Sequence, residues 1–178
     1  RETQTYEIIE DVARMKSEIG VLYLDSFNEP VIRKLLKTSQ LQFEPLFTAR
    51  PHIFISSSHP LAKKKKISLQ ELSPYPYLSF EQGDHNSFYF SEELFSTEVR
   101  GKNIRVRDRA TLFNLLIGLN GYTICSGVID PELNGSNIVA VPLQESGEMH
   151  IGYITHRNSS RSPLGAFYLD ALKKYISH

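Results

Sequence analysis

The amino-acid sequence predicts an α/β fold with mainly parallel sheets, and three observations support this prediction. Short apolar segments typical of β-strands alternate with segments of helical period along the whole chain. Of the 178 residues, 40% are hydrophobic, and 20 basic side chains balance 20 acidic ones. No apolar run approaches the roughly 20 residues needed to cross a bilayer. The pattern therefore favours one globular domain or two small lobes.

The first third of the chain predicts two helices, each followed by a strand. Apolar residues at helical spacing indicate the first helix: Ile8, Ile9, Val12 and Met15. Thr3 or Thr5 can cap its start, and Gly20 lies beyond its end. The next segment, IGVLYL, is apolar without alternation, which is typical of a strand buried on both faces. In NEPVIRKLLKT, Asn28 as N-cap and Pro30 in the first turn predict a second helix. Two further strand candidates are QFEPLF and HIFISS.

Four consecutive lysines, Lys63 to Lys66, precede a short capped helix. Ser68 and Glu71 have the spacing of a capping box, in which each side chain accepts from the backbone of the other residue. A block of like charges can bind phosphates, but this run has no interleaved aromatic residue to stack on bases. A solvated turn is therefore the favoured interpretation, and the zero net charge argues against a domain devoted to nucleic acid.

The second half continues the alternation of strands and helices. The strand candidates are YPYLSF, NIRVR, YTIC, NIVAVPL and MHIGYITH, with EQGDHNS as a loop and FYFSEELFSTEV as a helix. The clearest helix is RDRATLFNLLIGLNGY, with Asp108 near its start and Gly121 as its stop. Its predicted inward residues are Leu112, Leu115, Leu116 and Leu119. A last helix has Ser162 as N-cap and Pro163 at its first position.

Little in the sequence points to catalysis or to a metal. The GxSxG, HExxH, Walker and GxGxxG motifs do not occur, and the six histidines are scattered. Cys125 with a distant histidine is the minimal enzyme candidate, but a buried small hydrophobe on the strand YTIC is the favoured interpretation. We therefore expect no catalytic residue, no metal and no cofactor. A single cysteine also suits a reducing cytosol.

Polar clusters follow several predicted strands: DSFN, SFEQG, RDRAT and CSG. In open α/β sheets, ligands bind at the carboxyl ends of strands, where helix N-termini offer free N–H groups. Hydroxyl groups occupy this position in each cluster: Ser26, Ser79, Thr111 and Ser126. Any one of them can instead cap its own helix or turn. The four together favour a ligand-binding cleft.

The order of these motifs resembles that of LysR-type transcriptional regulators. LFTARPHIFISSSHPLAKKKKISLQEL resembles the family segment in which a strand runs into HPLA, a basic or polar turn and a capped helix. The similarity continues in YPYLSFEQG, in RDRATLFNLLIGLNGYTICSG and in MHIGYITHRNSSRSPLGAFYLDAL. TYEIIEDVARMKSEIGVLYL resembles the family's helix and following strand, with Gly20 where Asp is usual. The resemblance covers essentially the whole chain.

This resemblance implies the C-terminal effector-binding (substrate-binding) domain of such a regulator. Its fold would be a two-lobed, periplasmic-binding-protein-like (type II) α/β fold, with two mixed sheets flanked by helices and two crossover segments. Residues 1–50 with 156–178 would form lobe I, incomplete at its N-terminus, and residues 51–155 lobe II. A small-molecule effector would bind in the cleft between the lobes and modulate DNA binding by a helix-turn-helix domain outside this chain.

Carried over by position, the candidate effector-binding residues are Ser26, Phe27, Ser79, Phe80, Glu81, Gln82, Arg109, Thr111 and Ser126. Arg109, if it points inward, favours an anionic effector through a forked, charge-assisted contact. The alternative is a surface pair with Asp108 or Glu98. Ser126 and Gly127 stand where the family often has Leu-Pro, so the resemblance does not determine that wall of the cleft.

The resemblance further implies a bacterial, cytoplasmic regulator that forms a homodimer, and a tetramer as the full-length protein, without membrane contact. Two alternatives remain from the sequence. One is an extracytoplasmic solute-binding protein of the same fold. The other is a catalyst of this fold that uses Cys125 or Glu81.

Overall fold

The computed structural model describes residues 1–176, which form two compact units. Unit 1 comprises Arg1–Thr48 together with the chain from His150 onward, and unit 2 comprises Ala49–Met149. The elements in chain order are α1 (Thr5–Ala13), β1 (Gly20–Leu24), α2 (Glu29–Thr38), β2 (Leu41–Ala49), β3 (His52–Ser56), α3 (Leu69–Leu72), β4 (Tyr77–Phe80), β5 (Asn103–Val106), α4 (Arg109–Gly118), β6 (Thr123–Cys125), α5 (Pro131–Asn134), β7 (Ile138–Pro142), β8 (Met149–His156) and α6 (Pro163–Ile176).

Unit 1 is built on a three-stranded sheet of order β1-β8-β2. β8 runs antiparallel to β1, from Gly20 opposite Ile154 to Leu24 opposite His150. β8 pairs with β1 from residue 150 to residue 154, and residues 150–155 belong to unit 1, although the sequence predicted them in lobe II; residues 49 and 50, predicted in lobe I, belong to unit 2. The helix α1 packs on this sheet so closely that a Cβ at Gly20 would lie 2.5 Å from Ile8 Cγ2. A side chain at Gly20 would therefore collide with α1 unless the helix shifted.

Unit 2 contains a three-stranded sheet of order β6-β3-β7 and a two-stranded sheet of β4 and β5. β3 runs antiparallel to both of its neighbours, whereas β4 and β5 are parallel. The helix α4 buries Leu112 and Leu116 in an apolar cluster with Leu78, Val106 and Ile138. This cluster fixes the start of α4 beside the ends of β4 and β5.

The prediction of mainly parallel sheets is wrong. The alternation of strands and helices in the sequence does not determine which strands become neighbours. In this fold the two central strands, β3 and β8, run opposite to the strands paired with them in the registers above, and the parallel ladder joins β4 to β5. The family's mixed α/β architecture, with helices on these sheets, is confirmed.

Several local predictions in unit 1 are also wrong. The N-cap of α1 is Gln4 rather than Thr3 or Thr5, and the helix ends at Ala13, which leaves Met15 61% exposed with a φ of 56°. β1 is not buried on both faces, since Val21 is 37% exposed. Asn28 is the N-cap residue of α2, as predicted, but its side-chain oxygen accepts from the Asp25 amide.

In unit 2, residues 88–99 do not form the predicted helix. A 3₁₀ turn at Phe88–Phe90 is followed by bends and turns, and Phe95 has a φ of 57°. In α4, Asp108 is the cap as predicted, but Leu119 is 46% exposed because the helix ends before it. Gly121 is required by packing rather than as a stop, since a Cβ there would lie 2.2 Å from Leu78 Cδ1.

The capping predictions around the lysines and before α6 are confirmed. Ser68 and Glu71 form a reciprocal capping box on α3, and all four lysines are exposed, with Lys64 paired to Glu71. The Gly165 amide donates to Ser162 Oγ at 3.0 Å. Pro163 is the first residue of α6. Among residues 1–176, the helices lack the length and apolar character that a membrane span requires.

Substitution Ser68→Ala should lower the free energy of unfolding by about 1 kcal/mol, because the Glu71 amide loses its side-chain acceptor. Ser73→Ala is the matched control, since Ser73 follows the same helix and serves as its C-cap through its backbone. Urea unfolding of both variants measures the difference. Equal losses in the two variants would contradict the capping role of Ser68.

Candidate functional site

Three strand ends lie at one edge of unit 2. β4 and β5 are parallel, with Phe80 opposite Val106 in the ladder. A parallel bridge also joins Tyr77 to Tyr122, so β6 runs beside β4 in the same direction. The residues that follow these strands at the same level are therefore Glu81, Arg107 and Ser126.

An ion pair connects the ends of β4 and β5. Arg107 Nε donates to Glu81 Oε1 at 2.5 Å, and the Glu81 amide donates to the Val106 carbonyl at 2.9 Å. The Arg107 side chain is 83% exposed and that of Glu81 27%. Because surface ion pairs contribute little to stability, this pair can exchange its partner at low free-energy cost. Arg107 was not among the predicted site residues, although its place directly after the strand NIRV was visible in the sequence.

The start of α4 lies next to this pair. Asp108 Oδ1 accepts from the Thr111 amide and Oδ2 from the Thr111 hydroxyl, each at 2.8 Å. These bonds hold the pKa of the Asp108 carboxyl below its ordinary value. The Thr111 hydroxyl proton is thus used within the cap, while its oxygen remains an acceptor. Arg109, the first residue of α4, is exposed on the same turn.

Two buried side chains form hydrogen bonds next to the end of β4. Glu93 Oε1 accepts from the Phe80 amide at 2.8 Å, and Gln82 Nε2 donates to Glu92 Oε1 at 3.2 Å. Gln82 and Glu93 are 2% and 3% exposed. Burial raises the pKa of Glu93 to about 8, and the negative charge of Glu92 acts in the same direction. The Gln82 side-chain amide is therefore bound to Glu92 and buried, and it is not exposed to solvent.

Ser79 lies inside β4 and not after it. Its side chain is buried, and its hydroxyl lies 3.5 Å from Asn103 Oδ1 on the neighbouring strand. The predicted strand-end position of this hydroxyl is wrong, because β4 continues one residue further, to Phe80.

The end of β6 forms a small turn. Ser126 Oγ accepts from the Val128 amide at 3.3 Å, so the hydroxyl proton remains for another acceptor. Gly127 has a φ of 82°, and a Cβ there would lie 2.6 Å from the His52 ring. The turn therefore needs glycine directly after Ser126.

In unit 1, the junction between β1 and α2 presents two of the predicted residues. Asp25 Oδ1 accepts from the amides of Phe27 and Asn28, and Asn28 Oδ1 accepts from the Asp25 amide. Asp25 and Asn28 are buried, whereas Ser26 and Phe27 are exposed at the tip of the turn. The two buried residues thus fix the backbone that carries the two exposed ones.

The geometry around Cys125 does not favour nucleophilic chemistry. Its thiol donates to the His52 carbonyl oxygen at 3.6 Å, and burial raises the pKa of the thiol to about 12. A thiol with this pKa stays protonated at neutral pH, whereas the thiolate is the reactive form. Within residues 1–176, the acidic, histidine and cysteine side chains form no group of three that would hold a metal ion.

The family model described as "LysR substrate binding domain" matches residues 1–177. The chain belongs to this family. A curated relative, the malolactic fermentation system transcriptional activator of Lactococcus lactis subsp. lactis, is 28% identical over 143 residues, covering 78% of this chain and 48% of that protein. The chain spans less than half the length of the curated relatives it matches. Both relatives are named as transcriptional activators, one of them as a probable activator.

Two solved structures show that the LysR substrate binding domain fold extends over nearly all of this chain. The effector binding domain of QuiR in complex with shikimate has a TM-score of 0.63 and 21% identity, and the alignment covers 97% of this chain and 78% of that one. The regulatory domain of CcmR from Synechocystis PCC6803, in complex with 2-PG, has a TM-score of 0.65 and 13% identity, with coverage of 97% and 80%. The two-lobed, periplasmic-binding-protein-like fold class expected from the resemblance is thereby confirmed.

Cys125 should react slowly with a thiol reagent such as DTNB at pH 7.5, because the folded protein keeps its half-buried thiol protonated. Stopped-flow absorbance of native and urea-unfolded protein measures the two rates. Reaction of the native protein as fast as that of the unfolded chain would show that the thiol is accessible and ionised.

Proposed function

We propose that this LysR-family domain senses a small anionic effector, which binds at the strand-end edge of unit 2. One observation carries the proposal: the exposed Arg107 guanidinium is placed across the ends of β4 and β5 by its pair with Glu81. A guanidinium is a strong, forked donor to carboxylate and phosphate groups. In this structure the Glu81 carboxylate accepts the hydrogen bond from Arg107 that we propose an effector carboxylate would accept.

The surroundings of Arg107 also suit an anion. α4 starts two residues later, and a helix of ten residues presents partial positive charge at its N-terminus. Arg109 adds a second cation on the same turn, and Ser126 offers a hydroxyl from the neighbouring strand end. Phe80 and Thr111 complete the proposed contacts in unit 2. The complexes of QuiR with shikimate and of CcmR with 2-PG support a small-molecule effector of this kind.

In unit 1, Ser26 and Phe27 are the proposed effector contacts. Both are exposed on a backbone turn that buried hydrogen bonds hold in place. An aromatic side chain that is 43% exposed offers an apolar surface for a ligand ring or chain. Ser79 and Gln82 are proposed to act indirectly, by supporting the edge on which Glu81 lies.

We propose a regulatory role without catalysis, in the cytoplasm of a bacterium. The protonated Cys125 thiol and the pairing of Glu81 with Arg107 support the non-catalytic reading of both candidate groups. Effector binding would change DNA engagement by a helix-turn-helix domain outside this chain, by shifting the population of conformations that the regulator adopts.

A thermal-shift screen of amino acids, small carboxylates including shikimate, and sugar phosphates tests the effector proposal. A ligand at 100 times its dissociation constant stabilises the folded state by about 2.7 kcal/mol. We expect stabilisation by at least one carboxylate or phosphate. A panel in which only cationic or neutral compounds stabilise the protein would contradict an anion site.

Substitution Arg107→Gln should weaken binding of the stabilising anion by roughly 10- to 100-fold, the loss expected for one charge-assisted hydrogen bond. Glu81→Gln should strengthen binding, because the internal competitor loses its charge. Isothermal titration calorimetry measures both changes.

Arg105→Gln is the matched control for this series. Arg105 is exposed on β5, two residues before Arg107, and its substitution removes the same charge from the strand that leads to Arg107. An equal loss of affinity in the two arginine variants would show a general charge effect and contradict a site at Arg107.

We further propose that the domain forms a homodimer, and a tetramer in the full-length protein. Exposed apolar side chains on two helices support an interface. On α4, Ile117 is 43% exposed, and Leu119 directly after the helix is 46% exposed. On α6, Leu164 and Phe167 are 77% and 72% exposed.

Substitution Ile117→Glu should shift the protein from dimer toward monomer, because a buried charge without a partner destabilises an apolar interface. Asn114→Glu adds the same charge at an exposed polar position of the same helix and should leave the dimer intact. Sedimentation velocity at several concentrations measures the association. A wild-type protein that stays monomeric throughout, or equal dissociation in both variants, would contradict an interface on α4.

A further inference from the structure

The chain between β4 and β5, residues 81–102, is a long connection made of turns, bends and two 3₁₀ turns at Gly83–His85 and Phe88–Phe90. We call it the β4–β5 connector. Two of its aromatic residues, Phe88 and Tyr89, are 52% and 37% exposed, and Val99 is fully exposed. An irregular segment with exposed apolar residues depends on a few specific attachments to remain docked.

The connector is attached through the buried Leu94, which is 5% exposed, and through polar contacts near both ends of β4. Near the N-terminal end, the Arg100 guanidinium lies 4.1 Å from the centroid of the Tyr77 ring and donates to the carbonyls of Phe95 and Glu98. At the C-terminal end, Glu93 Oε1 accepts from the Phe80 amide at 2.8 Å. Glu93 is thus the carboxyl that holds the connector on the strand end of the candidate site.

This carboxyl is buried with only part of its hydrogen-bonding capacity used. Glu93 is 3% exposed, and its Oε2 is buried without a hydrogen-bond partner among residues 1–176. An ionised carboxylate in such a place loses its hydration and receives only backbone hydrogen bonds, from Phe80 and from its own residue, in return, which favours the neutral form.

The charges that face Glu93 are those of Glu92 and Arg100, both on the connector, while β4 contributes the uncharged Phe80 amide. Glu92 disfavours ionisation of Glu93, and Arg100 and the amide favour it. Burial outweighs both favourable contributions, and the resulting pKa of about 8 lies in the range of cellular pH.

We propose that the β4–β5 connector is a pH-responsive latch on the end of β4, closed while Glu93 is neutral and released when its carboxyl ionises. Release frees the Phe80 amide and loosens the backbone that carries Glu81, so the latch controls the strand end at which the proposed effector binds. The latch is a property of the unliganded protein and does not depend on the effector proposal.

The sign of the pH dependence follows from the two protonation states. In the released connector Glu93 is hydrated and titrates near its ordinary pKa of 4.5, whereas in the docked connector its pKa is about 8. Glu93 therefore stabilises the docked connector fully at pH values below its pKa in the released state. This stabilisation is lost as the pH rises to its pKa in the docked state. Between the two values, the equilibrium constant for release rises about tenfold per pH unit, and above the higher value it stays constant.

Hydrogen–deuterium exchange with mass spectrometry tests the latch on the wild-type chain from pH 5.5 to pH 9, after correction for intrinsic exchange. Protection of peptides within residues 81–102 should fall roughly 100-fold between pH 5.5 and pH 7.5 and then level off near pH 8. Peptides from β3, whose Ile53 and Ile55 are completely buried, serve as the internal control and should stay protected.

Two variants separate the latch from general pH sensitivity. Glu93→Gln keeps the shape and an uncharged amide, so its connector should stay equally protected at all pH values. Glu92→Gln removes the neighbouring negative charge, lowers the pKa of Glu93 and should shift the levelling-off to lower pH. This second variant tests the latch even where Glu93→Gln disturbs folding.

Hydrogen-exchange protection of the wild-type connector that does not change with pH would contradict the latch. It is also overturned by a Glu93→Gln connector that loses protection as the wild type does, or by a Glu92→Gln profile that does not move. None of these measurements contains an effector, so their outcome is independent of the anion-binding proposal.

Discussion

The parallel pairing of β4 with β5 is the constraint on which the candidate site depends. Because these strands run in the same direction and in register, the residues after Phe80 and Val106 emerge at one level, and Glu81 meets Arg107 there. An antiparallel pair would place the same residues at opposite ends of the ladder. The buried contacts of Leu78 with Leu112 and Leu116 then hold the start of α4 beside them.

Much of the polar chemistry at this edge serves the fold itself. Asp108 caps α4 with both oxygens, Gln82 contacts Glu92, and Glu93 holds the Phe80 amide. The acidic side chains of Asp108 and Glu93 accept backbone hydrogen bonds at this edge, whereas Arg107 and Arg109 are exposed at the surface. The proposed anion site therefore relies on local charge, since the whole chain has no net charge.

The sequence predicted what local chemistry determines and missed what depends on tertiary neighbours. The capping box of Ser68 and Glu71, the cap Asp108 and the Pro163 start of α6 follow from side chains that act within one turn. Strand direction was wrong because pairing partners are distant in the chain. The helix expected over residues 88–99 does not form, and Glu93 in this segment instead accepts a hydrogen bond from Phe80 of β4, a tertiary contact that local periodicity does not reveal.

The candidate site was predicted in outline only. The strand-end rule predicted Thr111 and Ser126 as ligand-facing hydroxyls, and the family resemblance added Phe80, Glu81 and Arg109; these residues remain predictions. Arg107 was missed because its importance comes from Glu81, which lies 26 residues earlier and meets it only through the parallel ladder. The burial of Glu93 likewise has no signature in a polar segment such as FSEELFSTEV.

The central claim, that an anion binds at the ends of β4 and β5, is tested most directly by a ¹H–¹⁵N NMR titration with the anion that stabilises the protein most. The account predicts that the largest amide shifts in unit 2 are those of Glu81, Arg107, Arg109 and Thr111, at the strand ends and the first turn of α4. Shifts confined to α6 or to the lysine turn, with these amides unmoved, would contradict it.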